Sequence, residues 1–141
     1  MKRFEFLKNT ADIAVRVHGG SLKELFTSAA LAMFSVVVAK KANRQKAPLK
    51  EVTIAKKEET LEGLLKSWLD ELLFHFSSER LILHRIKSLD IEEFELGSKV
   101  LLESFDDAYF ERKGDIKAVA YRGLKVELIR SRWQAYIIFD V

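Results

Sequence analysis

Two long segments repeat apolar residues at helical spacing, and they constrain the fold more than any other feature of the chain. The first begins behind Gly19-Gly20 with a capping box, in which Ser21 is the N-cap and Glu24 the third helical residue. The periodicity predicts helices near residues 21–38 and 60–77. Their apolar positions are Leu22, Leu25, Phe26, Ala29, Met33 and Val37, then Leu61, Leu64, Leu65, Trp68, Leu69, Leu72, Leu73 and Phe76.

Most of the remaining chain has the spacing of strands. Residues 13–18 alternate between apolar and polar or small side chains, and a short strand is indicated at Val52–Ile54. Four further strands follow the second helix, in the segments 81–91, 94–102, 116–127 and 133–141, with a possible bulge at Gly123 and a hairpin connection at 130–132. This order predicts an α+β fold: one two-layer domain spanning residues 1–141, with two helices packed on a mostly antiparallel sheet.

Composition excludes several classes of protein. The chain has no cysteine, so it can hold neither a disulfide nor a cysteine zinc site, and a cytoplasmic location is the simplest expectation. Its longest uncharged stretch, residues 25–39, is shorter than the roughly 20 residues of a membrane-spanning helix. Nucleotide-binding glycine motifs and a G-x-S-x-G nucleophile motif are absent from the sequence.

The segment 40–57 concentrates basic residues but is not expected to be the functional site. It contains seven Lys or Arg residues and one acid, Glu51, in a chain whose net charge is only +3. Aromatic residues are not interleaved with these charges, so a stacking platform for single-stranded nucleic acid is disfavoured. A solvated loop is the favoured interpretation, and a stand-alone nucleic-acid-binding module is the alternative.

Two aspartates lie in otherwise apolar strands, where aspartate is uncommon. Asp12 precedes Ile13 in the first alternating segment, and Asp140 follows a strongly apolar run near the end of the sequence. If the two strands meet, both carboxylates and the terminal carboxylate of Val141 would converge. Converging acids share a proton or bind a hard cation such as calcium. The simpler alternative is that each aspartate accepts backbone hydrogen bonds at a strand end, and spacing leaves this open.

Other polar residues give weaker signals. Lys117 lies between Ile116 and Ala118, where a lysine usually faces solvent or protects a sheet edge. The three histidines, His18, His75 and His84, lack metal-ligand spacing and are expected to be surface or partly buried residues.

Several blocks of the sequence, in the right order, resemble the archease family over essentially the whole chain. Asn9-Thr10-Ala11-Asp12-Ile13 is similar to the family's His-Thr-Ala-Asp-(Ile/Val) signature, and Leu22–Phe26 to its Leu-x-Glu-Leu-Phe helix start. The segments 29–34 and 68–73 resemble its two helices. Asp115–Tyr121 resembles the Glu-Val-Lys-Ala-(Val/Ile)-Thr-Tyr strand, and residues 138–141 resemble the Phe-Asp-(Ile/Val) ending.

The sequence departs from the family pattern in two places. Asn9 replaces the family histidine, and Asp115 and Ala120 replace the usual Glu and Thr of the lysine strand. The two aspartates and Lys117 are retained.

The resemblance implies an accessory protein rather than an enzyme. Archeases activate the GTP-dependent RNA-splicing ligase of tRNA splicing and RNA repair, promoting formation of its guanylylated histidine and multiple turnover. RNA would then be contacted only through the ligase. An older proposal for the family is a chaperone-like modulator of RNA or DNA methyltransferases.

The resemblance also implies site residues. A divalent metal, calcium, would be held by Asp12, Asp140 and Val141, and Lys117 matches a residue needed for ligase activation. An acid–base enzyme using Asp12 and Asp140 is the least favoured reading.

Overall fold

In residues 2–8, 11–44 and 46–141, which the computed structural model describes, the chain forms two helices and ten strands. The elements in chain order are β1 (Phe4–Leu7), β2 (Ile13–Gly19), α1 (Leu22–Val37), β3 (Val38–Lys40), β4 (Leu49–Lys57), α2 (Leu61–Glu79), β5 (Leu81–Glu92), β6 (Glu95–Ser104), β7 (Phe110–Arg112), β8 (Ala118–Val119), β9 (Lys125–Ile129) and β10 (Arg132–Asp140).

The strands pair antiparallel in three sheets. The largest runs β1-β2-β10-β8, with β9 pairing the other end of β10 on the same side as β8. A second sheet has the order β4-β6-β5, and β3 pairs with β7. Helix α1 packs on β2, β10 and β5, and α2 packs on β4, β5 and β8. The predicted α+β fold of helices on antiparallel strands is confirmed, although the strands divide among sheets instead of forming one.

The apolar faces of the two helices form the centre of the core. Trp68 of α2 is fully buried, and its indole N–H donates a hydrogen bond of 3.0 Å to the carbonyl oxygen of Phe26 in α1. A buried indole needs such a partner, because an unsatisfied N–H in the core would lose its hydration without compensation. This bond fixes the two helices against each other, and both support the strands that carry the candidate site.

The ends of the helices follow from local capping. Ser21 accepts a hydrogen bond of 3.1 Å from the main-chain N–H of Glu24, as the capping box predicts. Strand β2 approaches this turn so closely that a Cβ at Gly19 would lie 2.5 Å from the main-chain nitrogen of Leu25. The predicted end of the second helix at residue 77 is two residues early, because α2 continues to Glu79 and ends where Arg80 adopts a left-handed φ of 56°.

Several strands differ from the sequence-based expectation. Segment 81–91 shows no clean alternation because β5 shifts register against β6 twice, between Leu83 and Arg85 and between Ile86 and Ser88. Strands β1, β3 and β7 were not predicted, since each is four residues or shorter and gives little periodicity. No helix in the part of the chain that the structure describes is long and apolar enough to cross a membrane.

Candidate functional site

Strand pairing brings the two predicted aspartates to one end of the five-stranded sheet. In the β2–β10 pair, Phe139 lies opposite Ile13, and continuing this register by one residue sets Asp140 opposite Asp12. Alternation also directs both side chains to the same face, opposite the core face that holds Phe139. The expected convergence of the two carboxylates is therefore what the backbone geometry produces.

Arg122 lies between these carboxylates. Its Nη2 is 2.5 Å from Oδ2 of Asp12 and 3.1 Å from Oδ1 of Asp140. The two aspartate side chains are 24% and 33% exposed, whereas the Arg122 side chain is 58% exposed. Each carboxylate is thus partly withdrawn from water, and their mutual repulsion is offset by one guanidinium that remains accessible to solvent.

A tight turn delivers Arg122 to this position. The main-chain N–H of Leu124 donates to the carbonyl of Tyr121 at 3.2 Å, and Gly123 has a φ of +73°. A Cβ at Gly123 would also lie 3.2 Å from Cδ1 of Ile138. Gly123 therefore serves a left-handed turn that passes close over β10, and the bulge proposed there from sequence was wrong.

The electrostatics of the site favour the charged form of Arg122. The hydrogen bond and charge of Asp140, followed by the charge of Asp12, raise the pKa of Arg122 above its ordinary value. The guanidinium is held by two carboxylates. Their oxygens are also ligands that calcium and magnesium prefer. Among the residues that the structure describes, three His, Asp or Glu side chains nowhere gather as a metal cluster.

The structure places Lys117 at the same end of the sheet. Its main-chain N–H donates to the carbonyl oxygen of Asp140 at 2.7 Å. The side chain is exposed, and within residues 2–8, 11–44 and 46–141 its ammonium group has no hydrogen-bond or ion-pair partner. Lys117 is thus available to another molecule at this end of the sheet. Asn9, which replaces the family histidine, lies outside the described residues together with Thr10.

Sequence reasoning missed an apolar groove that adjoins Asp12. It has a volume of about 490 Å³ and is lined by Phe6, Leu7, Lys8, Asp12, Ile13, Ser35, Val36 and Lys113. Phe6 is 48% exposed, which is unusual for a phenylalanine on a strand. The signal in the sequence was weak, because a four-residue edge strand does not show which of its faces is covered.

Some basic residues of the segment 40–57 form ion pairs with acidic residues of helix α2. Lys50 lies 3.1 Å from Glu79, and Lys56 lies 2.9 Å from Glu71. The hydrogen bond from Lys56 lowers the pKa of Glu71. Strand β4 spans Leu49–Lys57, so it contains the strand predicted at Val52–Ile54 but is longer, and residues 41–44 and 46–48 before it carry no helix or strand. These contacts attach β4 to α2 and give some of the basic residues a structural role.

The histidines are not arranged as metal ligands. His75 is only 8% exposed, with its Nε2 lying 2.8 Å from Glu71 and its Nδ1 lying 2.5 Å from Glu79. It is more buried than the sequence suggested, and one carboxylate lies one turn away on either side of it. His84 lies 2.7 Å from Glu103, and His18 lies 3.7 Å from Glu5.

The fold and the site together define a small α+β protein in which two aspartates and one arginine form an ion-pair cluster at one end of an antiparallel sheet. The profile of the Archease protein family (MTH1598/TM1083) matches residues 4–141. The chain belongs to the archease family.

Its relatives cover the full length of the chain. The archease of Pyrococcus abyssi is 35% identical over 153 aligned positions, with all of both chains covered. That of Methanosarcina acetivorans is 32% identical over 145 positions, which is 99% of this chain and 97% of the relative. The solution structure of Methanobacterium thermoautotrophicum protein 1598 superposes with a TM-score of 0.77 at 30% identity, with both chains fully covered.

A crystal structure from Thermotoga maritima, described as an archease and possible chaperone, gives a TM-score of 0.67 at 24% identity. The match covers 96% of this chain and 94% of that one. At this identity the likeness supports the fold alone.

Proposed function

We propose that this protein is an accessory factor of a GTP-dependent RNA-splicing ligase, and that it activates the ligase without catalysing a reaction itself. The observation that carries the proposal is the convergence of Asp12 and Asp140 on one cationic group, in a chain of the archease family. These are two of the residues that the family resemblance assigns to a metal, and their contact with the same guanidinium supports that assignment. The exposed Lys117 beside them offers the activating contact.

The metal part of the proposal is a divalent cation, calcium, held by Asp12, Asp140 and the terminal carboxylate of Val141. The two aspartate side chains fit such an ion because both supply oxygen and both already contact a positive group. When bound, the cation would supply fixed positive charge at the end of the sheet. The residues of the chain would do the rest: the two carboxylates would position the ion, and the paired ends of β2 and β10 would hold the carboxylates together.

Activation can follow from positioning alone. Guanylylation of a ligase histidine brings a triphosphate and a nucleophile together, so orientation and charge neutralisation dominate the barrier. A rigid end of a sheet with one free ammonium group, that of Lys117, would act at the mouth of the ligase site by ordering the charged groups there. The apolar groove next to Asp12 offers area for the accompanying protein contact.

A chaperone-like role is the second candidate. The Thermotoga relative is described as a possible chaperone, and the exposed Phe6 in the groove would suit transient apolar contacts. An older form of this idea makes the client an RNA or DNA methyltransferase. Such a role predicts help to many unfolded clients, whereas a ligase accessory factor acts on one folded enzyme.

The deciding experiment measures guanylylation of the ligase from the same organism, with labelled GTP, in the presence and absence of this protein. We expect a higher guanylylated fraction and more than one ligation per ligase. Lys117→Ala should lose most of this stimulation, whereas Lys99→Ala, which removes an exposed lysine of the other sheet, should retain it. Unchanged guanylylation with the unaltered protein would refute the proposal.

The basic segment is expected to contribute little to stimulation. Replacing Lys40, Lys41, Arg44 and Lys46 together with Ser should leave it within a few-fold, because exposed charges act mainly on encounter rates. The same assay, run at two salt concentrations, measures this. Complete loss of stimulation, together with salt-sensitive RNA binding by the unaltered protein alone, would instead favour a nucleic-acid-binding module.

A further inference from the structure

We propose that Arg122 is a built-in counter-cation of the carboxylate site, and that a divalent ion must displace its guanidinium in order to bind. The inference deepens the proposed function, since it rests on the metal site assigned there to Asp12 and Asp140. It concerns a residue that neither the sequence motifs nor the family signature singled out.

The geometry makes the guanidinium and a metal ion mutually exclusive. A single nitrogen, Nη2, contacts both carboxylates, at 2.5 Å from Asp12 and 3.1 Å from Asp140. Calcium binds oxygen ligands at about 2.3–2.6 Å, so an ion shared by these oxygens would occupy the volume that Nη2 now fills. Two positive groups cannot share that position, and one must leave.

The surroundings allow Arg122 to leave. Its side chain is 58% exposed, and in the described part of the chain its polar partners are the two aspartates alone. The turn that carries it is held independently by the Leu124–Tyr121 hydrogen bond and by the bond of 2.9 Å from Ala120 N–H to the Ile138 carbonyl. Displacement therefore needs only side-chain rotation, which is fast for exposed residues.

Competition of this kind weakens the measured affinity for metal. When Arg122 occupies the site for about nine-tenths of the time, the apparent dissociation constant is raised about tenfold over that of the open site. The displaced guanidinium also remains nearby as a like charge. In the absence of metal the same residue has the opposite effect, because it prevents two facing carboxylates from repelling each other.

The test compares Arg122→Gln with Arg130→Gln in the full chain. Arg130 is an exposed arginine at the tip of the β9–β10 hairpin, so the second variant removes the same charge away from the site. Calcium chloride titrations by calorimetry should show about five- to tenfold tighter binding for Arg122→Gln and a change below about twofold for Arg130→Gln. In EDTA, Arg122→Gln should melt at a lower temperature than Arg130→Gln, and calcium should restore it.

Three results would overturn the proposal. In the first, the unaltered protein binds calcium while Arg122→Gln binds it equally well or more weakly. That result would show that Arg122 does not compete with the metal, although the metal site itself would be supported. Lower stability of Arg122→Gln that calcium does not restore would show that Arg122 serves only as a structural ion pair. If neither protein binds calcium, the metal assignment itself fails, while the guanylylation assay decides separately whether the protein activates a ligase.

Discussion

Asp12→Ala and Asp140→Ala are each expected to abolish measurable calcium binding and to reduce ligase stimulation strongly. Each substitution removes one of the two side chains that face a common cation, and a site with one carboxylate has little advantage over water. The fold should remain assembled, because both aspartates lie at the end of the sheet and outside the core. Calorimetry measures binding, and circular dichroism confirms folding.

Asp90→Ala is the matched control, because Asp90 is an exposed aspartate on a strand of the other sheet. It should bind calcium as the unaltered protein does. Residues appended after Val141 should weaken calcium binding, because they displace the terminal carboxylate. Acidification should also weaken calcium binding, because the carboxylate ligands must be deprotonated. Equal calcium affinity in Asp12→Ala and the unaltered protein would rule the site out.

Trp68→Ala is expected to lower the free energy of unfolding by about 3–5 kcal/mol. The residue is fully buried, so truncation leaves a large cavity and also removes the hydrogen bond that its N–H donates to the Phe26 carbonyl. Urea unfolding followed by circular dichroism measures the loss.

Phe74→Ala on the same helix provides the comparison. Its side chain is 57% exposed, so the change should fall within about 0.5 kcal/mol. A loss below about 1 kcal/mol for Trp68→Ala would contradict the view that the interface between α1 and α2 is the centre of the core.

The helices could be predicted because their signals are local. Sixteen residues of α1 and nineteen of α2 repeat one pattern, and Ser21 marks a start that the structure confirms. The irregular pattern of β5 could not be resolved, because its two register shifts depend on the partner strand β6. Edge strands such as β1 were missed for a related reason, since too few residues alternate.

The two aspartates of the candidate site could be predicted from the sequence, but its arginine could not. Asp12 and Asp140 drew attention because a charge in an apolar strand needs compensation, and antiparallel pairing of their strands then brought them together. Arg122 gave no such signal, since an arginine in a turn is ordinary. Its role depends on a contact between residues 110 positions apart, which no local pattern encodes.

This long separation in sequence determines the stage of folding at which the site forms. Pairing of β2 with β10 closes a loop of most of the chain, and such high contact order makes it a slow step that follows formation of local helices. Folding intermediates that lack this pairing present neither the acidic pair nor its arginine. A ligand at the site therefore acts chiefly on how slowly the finished protein opens, and hardly on how fast it folds.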